Sequence, residues 1–334
     1  MSPWISCTLD KDKPDMPFNI EDYKDIEPLP ITTGLPDELC EIMYTDNYKQ
    51  IMGIARALVQ KKEYSARALQ LTSEVIGMAP AFYTIWNYRY DIVKWQMETH
   101  SNVPELLNNE LSWLDEITLN NPKNYQIWSY RQSILKIHPS PSFKLELPIL
   151  QMMIDDDTKN YHVWSYRKWC LLLFQDFSNE LSYTDTLIQR DVYNNSAWAH
   201  RMFVLKSTAP SGNDINDEIN YVKEKIELVP QNISVWTYLR GLYEYFRKDV
   251  YDEEIIKFAE TFTNNVFDLK TLENLPPVES SYAIEFLSFV YSKNEATQYK
   301  SITGYKALSE KYDPVRVGLW DHKIKRIQQG NRAI

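Results

Sequence analysis

PKNYQIWSYR, residues 122–131, returns four more times along this 334-residue chain in altered form. Aligned on Trp128, the other copies are AFYTIWNYR (81–89), KNYHVWSYR (159–167), YNNSAWAHR (193–201) and QNISVWTYLR (231–240), with tryptophans at 86, 164, 198 and 236. The intervals of 42, 36, 34 and 38 residues are those of stacked helical hairpins. A worn sixth copy, DPVRVGLWDHK (313–323), carries Trp320.

Within each copy the residue types imply local structure. Asn stands four residues before Trp at 124, 160, 194 and 232, where its side chain is placed to cap a helix by accepting from free N–H groups of the first turn. Pro80, Pro122 and Pro230 stand six residues before their tryptophans, with Thr158 and Val192 in their place in two copies. Upstream, ELSWLDEITLNN (110–121) reads as an amphipathic helix that runs out at Asn-Pro. Arg follows Trp by three residues at 89, 131, 167 and 201, and by four at 240. Positions i and i+3 share a helix face, so Trp and Arg are read as architectural, reaching the neighbouring hairpin. Trp95, Trp113 and Trp169 are assigned to apolar stripes. The expected fold class is all-α, a right-handed α-solenoid of helical hairpins. It forms a single helical-repeat domain over 36–330, with five clear Trp-x-x-Arg units and a degenerate sixth.

Composition removes several function classes. Lys and Arg total 36 against 46 Asp and Glu, a net charge of −10 with no basic run, whereas nucleic-acid binding draws its affinity from Lys and Arg on phosphates. Only 8 glycines occur, against about 7% of residues in average chains, which disfavours Gly-rich phosphate loops. Cys7, Cys40 and Cys170 form no CxxC, and the five histidines contain no HxxxH pair, so no metal ligand set is assigned to this chain. No stretch approaches the roughly 20 apolar residues of a membrane span, and a reducing, cytoplasmic setting is expected. Residues 1–40 carry nine acidic and three basic side chains with six of the 17 prolines. The arm at 1–35 is therefore expected to be disordered or to order on assembly.

Helix N-termini attract anions. In two units the cap also carries a lysine, as Lys123-Asn124-Tyr125-Gln126 and Lys159-Asn160-Tyr161-His162. A cation, a dipole end, a phenol and a polar side chain converge there, a candidate grip for phosphate or carboxylate. The run Asp155-Asp156-Asp157 resembles the start of a DDxxD diphosphate box, but Lys159 breaks it, and it is read as a solvated helix end.

These Trp-x-x-Arg units, with PKNYQIWSYR, KNYHVWSYRKW and NNSAWAHR, resemble the repeats of the protein prenyltransferase α subunit family over about residues 35–325. The resemblance is strongest to the subunit shared by farnesyltransferase and type I geranylgeranyltransferase. It implies a heterodimer with a farnesyltransferase or geranylgeranyltransferase type I β subunit that holds zinc, with magnesium accompanying the diphosphate. The implied reaction moves a farnesyl or geranylgeranyl group from its diphosphate to the cysteine thiol of a C-terminal CaaX motif. By the same resemblance Lys123 stabilises the leaving diphosphate and Tyr161 lies beside it. His162 sits at the prenyl side, Gln126 binds the CaaX carboxylate, and Tyr83 and Tyr125 line the peptide edge. Alternatives are the Rab-type geranylgeranyltransferase α subunit and a non-enzymatic tetratricopeptide-like scaffold. Neither nucleic acid nor a membrane is an expected partner.

Overall fold

The computed structural model describes residues 18–31, 42–269 and 271–330, which form fifteen α-helices and no strand. The chain divides into two compact units, Met1–Cys170 and Leu171–Ile334. In the first lie α1 (Asp46–Lys61), α2 (Ala66–Met78), α3 (Tyr83–Thr99), α4 (Val103–Asn120), α5 (Tyr125–Ile137) and α6 (Phe143–Asp156). The boundary falls inside α7 (Tyr161–Phe174). In the second lie α8 (Glu180–Arg190), α9 (Asn195–Thr208), α10 (Gly212–Leu228), α11 (Ile233–Phe246), α12 (Glu253–Glu260), α13 (Ser281–Tyr291), α14 (Gln298–Ala307) and α15 (Val317–Gln328). The pairs α2–α3, α4–α5, α8–α9, α10–α11, α12–α13 and α14–α15 pack as hairpins, the all-α, solenoid-class architecture that the repeats imply.

The tryptophan and asparagine positions lock one hairpin to the next through a single backbone atom. Each indole N–H donates to the carbonyl six residues upstream: Trp86 to Pro80 at 2.9 Å, Trp128 to Pro122 at 3.3 Å, Trp164 to Thr158 at 2.9 Å, Trp198 to Val192 at 2.9 Å and Trp236 to Pro230 at 2.8 Å. Because the acceptor is main chain, Thr158 and Val192 replace proline without loss. The Asn of the following hairpin then donates to the same carbonyl, Asn160 to Pro122 O at 3.3 Å and Asn232 to Val192 O at 2.7 Å. Its side-chain oxygen meanwhile caps its own helix, Asn160 accepting from His162 N at 2.9 Å and Asn232 from Ser234 N at 3.0 Å.

A buried glutamate forms a second lock. Glu110 accepts from Arg89 of the preceding hairpin at 2.6 and 2.8 Å and from Tyr130 of its own hairpin at 2.7 Å. Glu146 does the same with Arg131 and Tyr166, and Glu218 with Arg201 and Tyr238. His200, in the tyrosine's place, has Nε2 2.8 Å from Glu180 Oε2. These glutamates stand 18 residues before the tryptophan of their own unit. Arg89 and Arg201 also lie over aromatic rings three residues beyond the glutamate, Trp113 at 3.5 Å and Tyr221 at 4.4 Å. Trp113 thus belongs to the lock, while Trp95, assigned to an apolar stripe from sequence, is 41% exposed.

Between the fifth copy and Trp320 the structure places a hairpin, α12–α13, that carries no tryptophan or arginine signature. Ser280 takes the Asn position: it donates to Pro230 O at 2.6 Å and accepts from Ala283 N at 3.2 Å. Ile284 then stands where Trp would, and because Trp236 meets the Phe262 ring as Trp86 meets Trp113 and Trp198 meets Tyr221, the glutamate's place three residues before that ring falls to buried Ala259. With no glutamate to meet, the preceding repeat carries buried Leu239 three residues after Trp236, and its arginine shifts to 240.

Residues 18–31 pack on the first unit: Tyr23 is buried and donates to Arg67 O at 2.7 Å, and Arg67 pairs with Asp25 at 2.7 Å. Leu29 N donates to Gly53 O at 3.1 Å. A Cβ at Gly53 would lie 2.7 Å from Pro28 Cβ, so glycine permits this approach of segment to helix. The rest of the arm lies outside the described residues.

Candidate functional site

Tyr83, Tyr125 and Tyr161 are the first residues of α3, α5 and α7. They remain 65%, 64% and 68% exposed, in contrast to the buried Tyr130 and Tyr166 five residues on. Asparagine caps explain the placement of Tyr125 and Tyr161, whereas α3 starts after Phe82 with no side-chain cap: Asn124 Oδ1 accepts from Gln126 N at 2.8 Å and Ile127 N at 3.4 Å. This starts α5 at Tyr125 and turns Ile127 and Trp128 inward. Asn160 does the same for α7.

Tyr83, Tyr125 and Gln126 line one open groove of about 400 Å³ between α3 and α5, with Asn87, Tyr90 and Ser129 on its walls. The edge of that groove continues into the second group of candidates. The His162 ring meets Tyr125 edge-on at 4.3 Å and Tyr161 at 5.7 Å. Burial, and then the nearby Lys123 charge, hold the His162 imidazole below its usual range. The six residues singled out in sequence thus form one patch on the first unit: a phenol-lined groove with an amide, flanked by an imidazole, a phenol and an ammonium. Lys159 occupies the register of Lys123 one repeat later.

Asp157 is the residue of this patch that sequence reasoning misplaced. Asp155 and Asp156 are exposed at the end of α6, as a solvated helix end requires. Asp157, by contrast, accepts from Lys159 N at 3.0 Å, and its Oδ2 lies 3.3 Å from Lys123 Nζ. The available signal was the spacing Asp157…Asn160, matched by Asp191…Asn194 and Asn121…Asn124. A larger groove, about 470 Å³, lies in the second unit, lined by Trp198, Met202, Thr237, Arg240, Phe286 and Phe289 among others. Arg240 lies 3.6 Å over the Phe289 ring there and pairs with Glu244 at 2.6 Å. Sequence reasoning had assigned this groove nothing.

Among the described residues no group of three or more His, Cys, Asp or Glu side chains could hold a metal ion. Cys170 is a free thiol, fully buried, and burial pushes it up to about 12, which leaves it a packing residue. No helix among the described residues is long and apolar enough to cross a membrane.

The protein prenyltransferase alpha subunit repeat matches residues 65–96, 107–138, 143–174, 177–208 and 215–246. The Candida albicans protein farnesyltransferase/geranylgeranyltransferase type-1 subunit alpha is 41% identical over 317 residues, 92% of this chain and 97% of the relative. The chain belongs to the protein prenyltransferase alpha subunit family. The Schizosaccharomyces pombe protein of the same designation is 37% identical over 310 residues, covering 92% of this chain and 95% of the relative. Among solved structures, Candida albicans protein geranylgeranyltransferase-I complexed with GGPP aligns with a TM-score of 0.80 at 40% identity, over 94% of this chain and 100% of that one. The five family repeats coincide with the hairpins from α2–α3 to α10–α11, and the family pattern stops where Ser280 and Ile284 replace Asn and Trp.

Proposed function

We propose that this chain is the α subunit of a heterodimeric CaaX protein prenyltransferase that acts with a farnesyltransferase or geranylgeranyltransferase type I β subunit in the cytoplasm. The observation that carries the reading is its 41% identity across 97% of a curated type-1 α subunit. Family membership also disfavours a tetratricopeptide-like scaffold, and the near-complete span of type-1 relatives favours the CaaX type over the Rab type.

In this reading the patch on the first unit contributes two things. The first is leaving-group stabilisation: negative charge grows on diphosphate as the bond to the prenyl carbon breaks, and preplaced donors lower that barrier. Lys123, 70% exposed and able to turn outward, supplies an ammonium, and Tyr161 an exposed phenol. The N-termini of α5 and α7 add their partial positive charge. The second is peptide recognition. Gln126 offers an amide N–H to the terminal carboxylate in the groove that Tyr83 and Tyr125 also line. His162, held neutral beside Lys123, faces the prenyl chain as an apolar edge rather than a second cation. Zinc would supply the thiolate on the CaaX cysteine and magnesium would accompany the diphosphate. The described residues here do not fit a resident metal; the family resemblance places zinc on the β subunit, and no step of this chain runs through either ion.

Coexpression with a β subunit tests the proposal. The purified pair should transfer labelled farnesyl or geranylgeranyl to a CaaX peptide, and the chain alone should not. Transfer by the isolated chain, or none by the assembled pair with either β subunit, would remove the two-subunit reading.

A further inference from the structure

Lys123 is not idle before a diphosphate arrives, because Asp157 Oδ2 lies 3.3 Å from its ammonium. The two residues belong to successive hairpins whose turns are joined twice at this point, by this pair and by Asn160 Nδ2 donating to Pro122 O at 3.3 Å. The asparagine's bond to the Pro122 carbonyl fixes the separation of the turns. The carboxylate is anchored by its other oxygen, which accepts from Lys159 N at 3.0 Å, and Asp157 O accepts from Asn160 N at 3.1 Å. Asp157 is 35% exposed and Lys123 is 70% exposed, so the carboxylate is the fixed member of the pair and the lysine the movable one.

We infer that Asp157 is the resting partner of Lys123, exchanged for diphosphate when substrate binds and regained when diphosphate leaves. The inference rests on the assignment of Lys123 to the diphosphate. An ammonium that meets a trianionic leaving group with no competitor would hold the product. A fixed carboxylate within reach of the same ammonium opposes that retention, both by taking back the charge and by repelling the anion. Asp157 is therefore a positioning residue that acts through Lys123.

The test measures inhibition by inorganic pyrophosphate in the assembled enzyme for wild type, Asp157→Asn, Lys123→Ala and the double variant. Asparagine keeps an oxygen for Lys159 N, and the chain itself uses Asn121 at this register, where Asn124 N donates to Asn121 O at 3.1 Å. Asp157→Ser, which also retains a side-chain acceptor, gives a second route to the same charge change. Asp157→Asn and Asp157→Ser should tighten pyrophosphate binding about two- to fivefold, the range of an exposed ion pair, and the gain should vanish in the Lys123→Ala background. Unchanged affinity, or an equal gain with and without Lys123, overturns the inference, since the second result is a general field effect. A Lys123→Ala enzyme that binds pyrophosphate and reacts like wild type overturns the lysine assignment as well. A Lys123 defect with no response at Asp157 overturns the exchange alone.

Discussion

Arg89 and Glu110, on consecutive hairpins, form a bidentate ion pair with N–O distances of 2.6 and 2.8 Å at 4% and 6% side-chain exposure. Tyr130 donates to the same carboxylate. The pair recurs as Arg131–Glu146 and Arg201–Glu218. A buried ion pair is weak evidence for net stability, but removing one partner strands a charge in a desolvated site.

Glu110→Ala should therefore destabilise the first unit by about 3–5 kcal/mol. Replacing Arg89 and Glu110 together by Met and Leu should cost much less than either single change. Denaturant unfolding of the assembled enzyme checks both, and a single variant within 1 kcal/mol of wild type, on the order of an exposed pair, would show that the lock carries no strain when broken.

Asn232 does two jobs, capping α11 through Ser234 N and holding Val192 O at 2.7 Å. Asn232→Ala should lower stability by about 1–2 kcal/mol, the cost of a lost cap. Asn232→Asp keeps the cap acceptor but sets a buried carboxylate oxygen against Val192 O, so it should cost more than alanine. If aspartate proves milder than alanine, the cap and not the inter-hairpin bond dominates.

The tryptophan spacing made the hairpins legible because an indole is rare and occupies a fixed register. The glutamates at 110, 146, 180 and 218 recur just as regularly. They escape notice because a Glu on an amphipathic helix reads as its solvated face; at 110, 146 and 218 it is the packing of the preceding hairpin's arginine that takes it out of solvent. Hairpin α12–α13 is illegible for a different reason: Ser280 makes the asparagine's two hydrogen bonds with another residue type, and Ile284 stands in the tryptophan's place with no indole to mark it. At the site, the caps followed from Asn124 and Asn160, but the residue roles came from family resemblance. The Tyr125–His162 and Lys123–Asp157 contacts join positions in different hairpins, beyond the reach of any local periodicity.

His162 offers an electrostatic check on the patch. Its imidazole is held down first by burial and then by the Lys123 charge. Removing that charge with Lys123→Ala should raise the His162 pKa, though not to its ordinary value, because burial remains. An NMR titration of histidine-labelled enzyme reads the shift, and an unchanged or lower pKa would mean that the ammonium does not face the ring.

Gln126 is proposed to hold the CaaX carboxylate in the groove it shares with Tyr83 and Tyr125. Gln126→Ala should raise the KM for CaaX peptide several-fold with kcat and prenyl diphosphate affinity nearly unchanged, the pattern of a lost ground-state contact. Collapse of diphosphate binding with an unaltered peptide KM would reassign the residue.

Lys123 carries the proposed chemistry, and single-turnover rates at saturating peptide and prenyl diphosphate isolate the step in which it acts. Because only interactions stronger in the transition state than in the ground state speed a reaction, Lys123→Ala should slow the chemical step by about 10- to 300-fold, equal to about 1.4–3.4 kcal/mol. Prenyl diphosphate affinity should change far less. Lys159→Ala, in the same register one repeat later, should be milder. Equal defects in the two variants, or a Lys123→Ala defect confined to binding, would contradict the assignment.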